Sequence, residues 1–337
     1  MFVKNTIEDH IDHISGTQKY LIDYSNLKDG LISNQKNFLN SESLSLWYNN
    51  PIRGMPLLLP INLKEFDYNQ NVETFKLSTK SICSKIFNIN NEEYIGLKIF
   101  FNNGNIFTTC AKPKLEYKSI VRKISENNKN LKNDIKEIIN SGKTVAAFQT
   151  RNIPHLGHEF IIEKLLNKFD YVFINPVIGP KKIGDAKSKI LFYSYKYLSE
   201  NYYNNRVFYK PICANMFYGG PREALHHIQL RQNLGFSGFA VGRDHAGAEN
   251  QYNEEDAIRI VNKFKSKFII KILTQENIFF NSRTNNLTAT SNSNSKDFLI
   301  SISGSDFREN LKNKKIYEYA RIDLQEYLQS KKEVMFY

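Results

Sequence analysis

The sequence predicts an α/β protein in which a parallel sheet follows a mostly β region. Three observations carry this. From Thr144 onward, short apolar runs alternate with helical periodicity, the pattern of a parallel sheet covered on both faces. Two polar turns rich in Gly, Arg and His follow directly on such runs, at 149–158 and 242–247. Before residue 140 the apolar segments are short and separated by turn signals.

The strands are expected at 144–148, 171–177, 206–212, 237–241 and 267–273, each a short apolar run. Between them, helices are expected at about 155–168, 186–200, 220–234 and 254–265. In the first part of the chain, Met55–Ile61, Tyr94–Phe101 and Ile106–Cys110 are apolar, and Asn102-Asn103-Gly104-Asn105 reads as a hairpin signal. Lys123–Gly142 is polar and contains a helical stretch that links the two parts. Asn281–Lys296, rich in Asn, Ser and Thr, reads as a mobile loop, and the tail 305–330 reads as helical. The domain reading is 1–140, 141–312 and a helical tail 313–337.

Composition narrows the function classes. Hydrophobic residues make up 41% of the 337, enough for a sizeable core. No apolar run reaches the length of a membrane span, and MFVKNTIEDHIDHIS lacks the apolar segment of a signal peptide. The three cysteines (Cys83, Cys110, Cys213) form no Cys-x-x-Cys pair, so a cytoplasmic setting is expected and a protein-held metal is not. The net charge of +12 is spread along the chain rather than gathered in a patch, which disfavours a nucleic-acid partner.

Four segments carry chemistry. Gln149-Thr150-Arg151-Asn152-Ile153-Pro154-His155-Leu156-Gly157-His158 opens a helix directly after a strand. Its side chains hydrogen-bond oxyanions, Arg151 is permanently charged, and the helix N-terminus adds partial positive charge. His155 and His158, three residues apart, share a helix face. Gly242-Arg243-Asp244-His245-Ala246-Gly247 occupies a second strand end. Met216–Ala224 contains Gly-Gly-Pro before a helix that carries His226 and His227, which on one helix are not expected both to face inward. Ile302–Arg308 is a small polar loop that opens another helix.

Together these segments resemble the ATP sulfurylase (sulfate adenylyltransferase) family. Its Gln-x-Arg-Asn-Pro-x-His-x-Gly-His motif is matched by Gln149, Arg151, Asn152, His155, Gly157 and His158, and its Gly-Arg-Asp-His-Ala-Gly motif by Gly242–Gly247. Met216–Ala224 and Ile302–Arg308 match two further family segments, with Gly219 for Ala and Ser305 for Thr. The resemblance implies a Rossmann-like adenylyltransferase domain of the His-x-Gly-His superfamily behind a PUA-like β domain. It implies catalytic roles for Thr150, Arg151, Asn152, His155 and His158. It places sulfate at Gln149, Arg151 and the Ala246 backbone, and ATP at Gln149, Asn152, His155, His158 and Gly242, Arg243, Asp244, His245.

The implied reaction is in-line attack of a sulfate oxygen on the α-phosphorus of ATP, with Mg2+ arriving on ATP. The resemblance is compatible with a homo-oligomer and with a downstream adenylyl-sulfate kinase or reductase as partner. Three departures stand out. Ile153 holds the family's Pro position, Asn175-Pro176-Val177-Ile178-Gly179 replaces a family His-Pro-Leu-Val-Gly, and the N-terminal family segments are missing. They motivate one rival, a related nucleotidylyltransferase that uses another oxyanion or a phosphorylated acceptor. A second rival, a non-catalytic RNA-binding protein, predicts steeply salt-dependent binding and leaves the four segments unexplained.

Overall fold

The computed structural model describes residues 18–68, 73–109, 111–178, 184–243, 245–248, 250–289, 298–331 and 333–337. Five parallel strands form the central sheet: β1 (Val145–Phe148), β2 (Tyr171–Ile174), β3 (Val207–Tyr209), β4 (Gly238–Val241) and β5 (Lys271–Thr274). Their spatial order is β5-β4-β1-β2-β3. From β1 the chain moves outward to β2 and β3, then returns to the other side of β1 for β4 and β5. The order therefore reverses between β1 and β4, and a crevice opens beyond their carboxyl ends.

Side chains alternate between the two faces, as the strand period of two requires. Val145, Ala147, Phe173, Phe239 and Val241 join one core with the helices Lys19–Lys28, Lys118–Asn140 and α3 (Gly220–Leu234). Ala146, Phe148, Val172, Ile174, Ala240 and Leu273 join the other core, with α1 (Leu156–Leu166), α2 (Ser188–Tyr202) and the helices Gly304–Lys312 and Ile322–Ser330. Helix α4 (Asp256–Phe264) packs on α3 through Ala257 and Val261. Strands buried on both faces explain why these runs are apolar without alternation.

Several expectations need correction. The runs 171–177 and 206–212 each break after the central-sheet strand, because Pro176 and Pro211 cannot donate to a ladder. Val177–Ile178 and Ile212–Cys213 resume beyond the prolines as a separate parallel pair. Tyr94–Phe101 is not a strand, since Ile95–Phe100 is a helix. Asn102–Asn105 accordingly links a helix to a strand and is no hairpin. Asn281–Lys296 is not simply a loop. Ile278–Asn281 pairs antiparallel with Asn286–Ala289 across a turn in which Asn285 takes φ 55°, and with Leu299–Ser301. Residues 290–296 of that expected loop lie outside the described residues. The tail is two helices, Gly304–Lys312 and Ile322–Ser330, separated by a non-helical link.

Helix outweighs strand among the described residues before Lys118. The antiparallel pieces there (Leu59–Pro60, Phe66–Tyr68, Thr74–Lys76, Ile106–Thr108, Ala111–Pro113) are two or three residues long. A third core gathers Trp47, Phe87, Tyr94, Phe100 and Phe107. Arg222 of α3 ties this region down by donating to the carbonyls of Gly54 (2.7 Å), Asn50 (3.0 Å), Lys85 (3.3 Å) and Trp47. Cys83 and Cys213 are buried free thiols, while Cys110 lies outside the described residues. No helix among the described residues is long and apolar enough to cross a membrane.

Candidate active site

A cavity of about 550 Å³ lies in the crevice beyond β1 and β4. The turn after β1 lines it with Gln149, Thr150, Arg151, Asn152, His155 and His158, and the loop after β4 with Gly242, Arg243, His245 and Ala246. The two segments, about 90 residues apart in sequence, thus meet at the switch point of the sheet. Of the residues expected at the site, Asp244 lies outside the described residues. Ala246 takes φ 60°, a left-handed conformation that a residue with a Cβ rarely adopts, and its carbonyl accepts the Gly220 N–H at 3.1 Å.

The histidine pair is built by the start of α1. His158 Nδ1 accepts the His155 backbone N–H at 3.3 Å. A backbone N–H only donates, so neutral His158 carries its proton on Nε2, which lies 3.1 Å from Thr150 Oγ1. Thr150 also accepts the Asn152 N–H at 3.2 Å, so its hydroxyl holds the turn in shape. The two rings sit with centroids 3.9 Å apart. A Cβ on residue 157 would come within 3.1 Å of the His155 ring, so Gly157 gives that ring its place. His155 Nδ1 and Gln149 Oε1 are buried without a hydrogen-bond partner among the described residues. Orphaned polar atoms on a cavity wall are what a site built for a polar ligand leaves open.

Three arginines supply the charge. Arg151 Nη1 lies 3.6 Å from Asp185 Oδ2, Arg308 donates to Asn152 Oδ1 at 2.9 Å, and Arg243 pairs with Glu254. The loop 302–308 thereby joins the site: Ile302, Gly304 and Arg308 line the cavity, and the Ser303 hydroxyl caps its helix by accepting from Ser305 and Asp306. Among the described residues, Asp185 and Glu276 are the acidic ones of the lining. Asp185, Ile161 and the segment Gln275–Phe279 escaped the reading from sequence. Gln275–Phe279 follows β5, so the rule that sites lie beyond strand carboxyl ends could have found it.

Ile153 and residues 175–178, two of the departures from the family pattern, are absent from the described lining. Ile153 is 1% exposed and packs in the core under α1. Asn175 is fully buried and accepts from Arg231 through both its side-chain oxygen (2.9 Å) and its carbonyl (2.8 Å). Gly179 lies outside the described residues. His226 and His227 are both buried, contrary to expectation. Helix α3 is covered on two sides: His226 meets Gly54 and Phe217, while His227 meets His245.

Burial sets the protonation of this region. It pushes His155 down to about 4 and His226 to about 3, and holds His158, His227 and His245 well below the ordinary 6.5. It raises Asp23 and Glu223 to about 7 and lifts Glu159 as well. The imidazole contribution to stability is complete above pH 6.5 and is lost as pH falls toward about 4. The carboxyl contribution runs the other way, lost as pH rises from about 4 to about 7. Five rings outweigh three carboxyls, so unfolding takes up protons between about pH 4 and 6.5. The thermal midpoint is expected to be lower at pH 5 than at pH 7.5, and scanning calorimetry at the two values checks this. Equal midpoints would contradict it.

A parallel sheet in this order, with polar turns from both sides of its switch point closing on one cavity, defines a Rossmann-like α/β protein with a polar cavity at that switch point. The solved structure "Hexameric APS kinase from Thiobacillus denitrificans" shares the fold, with a TM-score of 0.58 at 11% identity over 93% of this chain and 62% of that one. Residues 124–319 match the family model ATP-sulfurylase, and the chain belongs to that family.

Curated relatives named sulfate adenylyltransferase include that of Pyrococcus abyssi, 44% identical over 135 residues (40% of this chain, 36% of the relative). That of Staphylothermus marinus is 37% identical over 171 residues (50% and 45%). That of Carboxydothermus hydrogenoformans is 33% identical over 251 residues (73% and 65%). The chain therefore spans less than two thirds of each of these relatives.

Proposed function

We propose that this chain transfers the adenylyl group of ATP to sulfate. A sulfate oxygen attacks the α-phosphorus, the bond from that phosphorus to the bridging oxygen breaks, and pyrophosphate leaves. The observation that carries the reading is the meeting of the 149–158 turn and the 242–247 loop in one cavity at the switch point. The sulfate adenylyltransferase name of the relatives supports it, as does the absence of Ile153 and Asn175 from the lining.

In this reading Arg151 and Gln149 hold sulfate beside the Ala246 backbone, with Arg151 offering two parallel donors. Asn152, His155, His158 and the 242–245 loop hold ATP. His155 is neutral in the free protein, and an arriving triphosphate favours its protonation, so that its unpartnered Nδ1 can donate to the oxygens where leaving-group charge develops, while His158 holds the turn. No covalent intermediate is needed, because positioning and charge neutralisation do the work. Mg2+ enters as part of the ATP substrate.

The same proposal includes the boundaries 1–140, 141–312 and 313–337, with a PUA-like first unit supported by its short antiparallel pairs. It also includes a cytoplasmic setting, a homo-oligomer, and an adenylyl-sulfate kinase or reductase to consume the product. The test is pyrophosphate release from MgATP with and without sulfate. Sulfate-stimulated release is expected. No stimulation by sulfate, with release driven by a phosphonate or sugar phosphate, would transfer the assignment to the rival nucleotidylyltransferase.

A further inference from the structure

Behind the 149–158 turn stands Tyr195 of α2, fully buried, absent from the described cavity lining and stacked on Tyr209 with ring centroids 6.4 Å apart. Its hydroxyl donates to the Asn152 carbonyl at 3.1 Å and hydrogen-bonds the Thr150 hydroxyl. Thr150 Oγ1 lies 3.1 Å from His158 Nε2 and accepts the Asn152 N–H at 3.2 Å. His158 Nδ1 accepts the His155 N–H at 3.3 Å. One tyrosine on the next helix is thus joined, directly or in series, to Thr150, Asn152, His155 and His158.

Both ends of this chain have a fixed direction. It starts at a backbone N–H, which only donates, and finishes at a backbone carbonyl, which only accepts. His158, kept neutral by burial, therefore donates from Nε2 to Thr150. With two hydrogen bonds received, the Thr150 hydroxyl has its own proton left to give, and Tyr195 takes it. Tyr195 then donates to Asn152. Asn152 is gripped at its N–H by Thr150, at its carbonyl by Tyr195 and at its side chain by Arg308. Without the Tyr195 hydroxyl, the Thr150 proton and the Asn152 carbonyl both lose that partner in a buried place, and the turn shifts to recover one.

We propose that Tyr195 is a positioning residue for adenylyl transfer: it closes a one-way hydrogen-bond chain that holds Thr150, Asn152 and His158 in the shape that aims the turn at the triphosphate. The inference rests on the cavity holding ATP, as proposed above. Tyr195 touches no substrate in this reading and acts through the Asn152 backbone and the Thr150 hydroxyl. Its effect falls on the alignment of the reacting groups and not on the number of contacts made to ATP. It therefore belongs to kcat more than to KM.

Two measurements test it. The first follows pyrophosphate release, driven by sulfate or by whichever acceptor drives it, in Tyr195→Phe, Thr150→Val and the double variant. Tyr195→Phe keeps the ring against Tyr209 and removes only the hydroxyl. It is expected to lower kcat on the order of tenfold and to change KM for ATP less than about twofold. On top of Thr150→Val, which has already opened the chain, it is expected to cost much less. Full kcat per folded molecule in Tyr195→Phe, or losses that simply add, would mark a merely structural role and overturn the proposal. The second is 15N-detected NMR of the histidine-labelled protein at pH 8, with His158 assigned by His158→Asn. His158 is expected as the Nε2–H tautomer. An Nδ1–H tautomer breaks the chain and overturns the proposal whether or not the enzyme turns over. Failure of the wild-type protein to bind ATP in calorimetry would instead remove the nucleotide reading on which it rests.

Discussion

Arg151→Ala is expected to lower sulfate-dependent exchange of pyrophosphate into ATP by on the order of 10²–10³, the scale for losing one aimed donor in a closed site. The fold should survive. Arg151 is partly exposed, with 28% of its side chain accessible, and its ion pair with Asp185 at 3.6 Å is loose. The proposed reaction brings two anions together, and Arg151 is the cation on the β1 turn. Arg151→Lys should recover only a small part of the rate, because an ammonium restores the charge without the planar fork. The loss should fall mainly on sulfate, with ATP binding changed severalfold at most. Near-normal exchange in Arg151→Ala would remove this side chain from the site.

Asn175→His, which restores the residue of the family pattern, is expected to destabilise this chain. Arg231 is fully buried and charged, stacks over Phe239 at 4.9 Å, and donates to the Asn175 side chain. The Asn175 amide in turn donates to the Lys210 carbonyl. An imidazole is larger than the amide and cannot supply both contacts in the same place. Losing a buried hydrogen bond to a charged group costs about 1.5–3 kcal/mol, and overpacking adds to it. A fall of roughly 2–4 °C in the thermal midpoint follows from the hydrogen bond alone, and more with overpacking. Activity per folded molecule should hold, because Asn175 does not line the cavity. Unchanged stability, or a changed acceptor preference, would mean that the strand end reaches the site after all.

The central sheet was legible because each strand is a short apolar run, and its four helices because they fill the spaces between such runs. The polar turns at 149–158 and 242–247, each after such a run, also marked two walls of the cavity. The breaks at Pro176 and Pro211 were present in the sequence too, but run length outweighed them in the reading. The first part of the chain was harder. Strands of two or three residues carry no measurable period, and a phenylalanine-rich run such as Tyr94–Phe101 suits a packed helix as well as a strand.

At the site, the four motifs announced themselves through density of polar residues. Asp185 and Gln275–Phe279 did not, because they lie beside the ligand space without any such density. The burial of His226 together with His227 depends on two neighbours on opposite sides of one helix. One of them, the segment around Gly54, is about 170 residues away in sequence, and local pattern does not reach that far.

Arg222 and Glu223 are consecutive residues that work in opposite directions. One reaches into carbonyls spread over residues 47–85, the other toward the rear of the cavity. This limits how the chain can be taken apart or recombined. A guanidinium covered by another unit without acceptors costs several kcal/mol, so a replacement first unit that buries Arg222 without offering it carbonyls would be destabilised one residue from the site. A chimera that grafts a different first unit onto residues 141–312 must bring matching carbonyl oxygens to Arg222. The segment that presents Gly54, Asn50, Lys85 and Trp47 is therefore the part of the first unit least free to vary, however far the rest of it drifts.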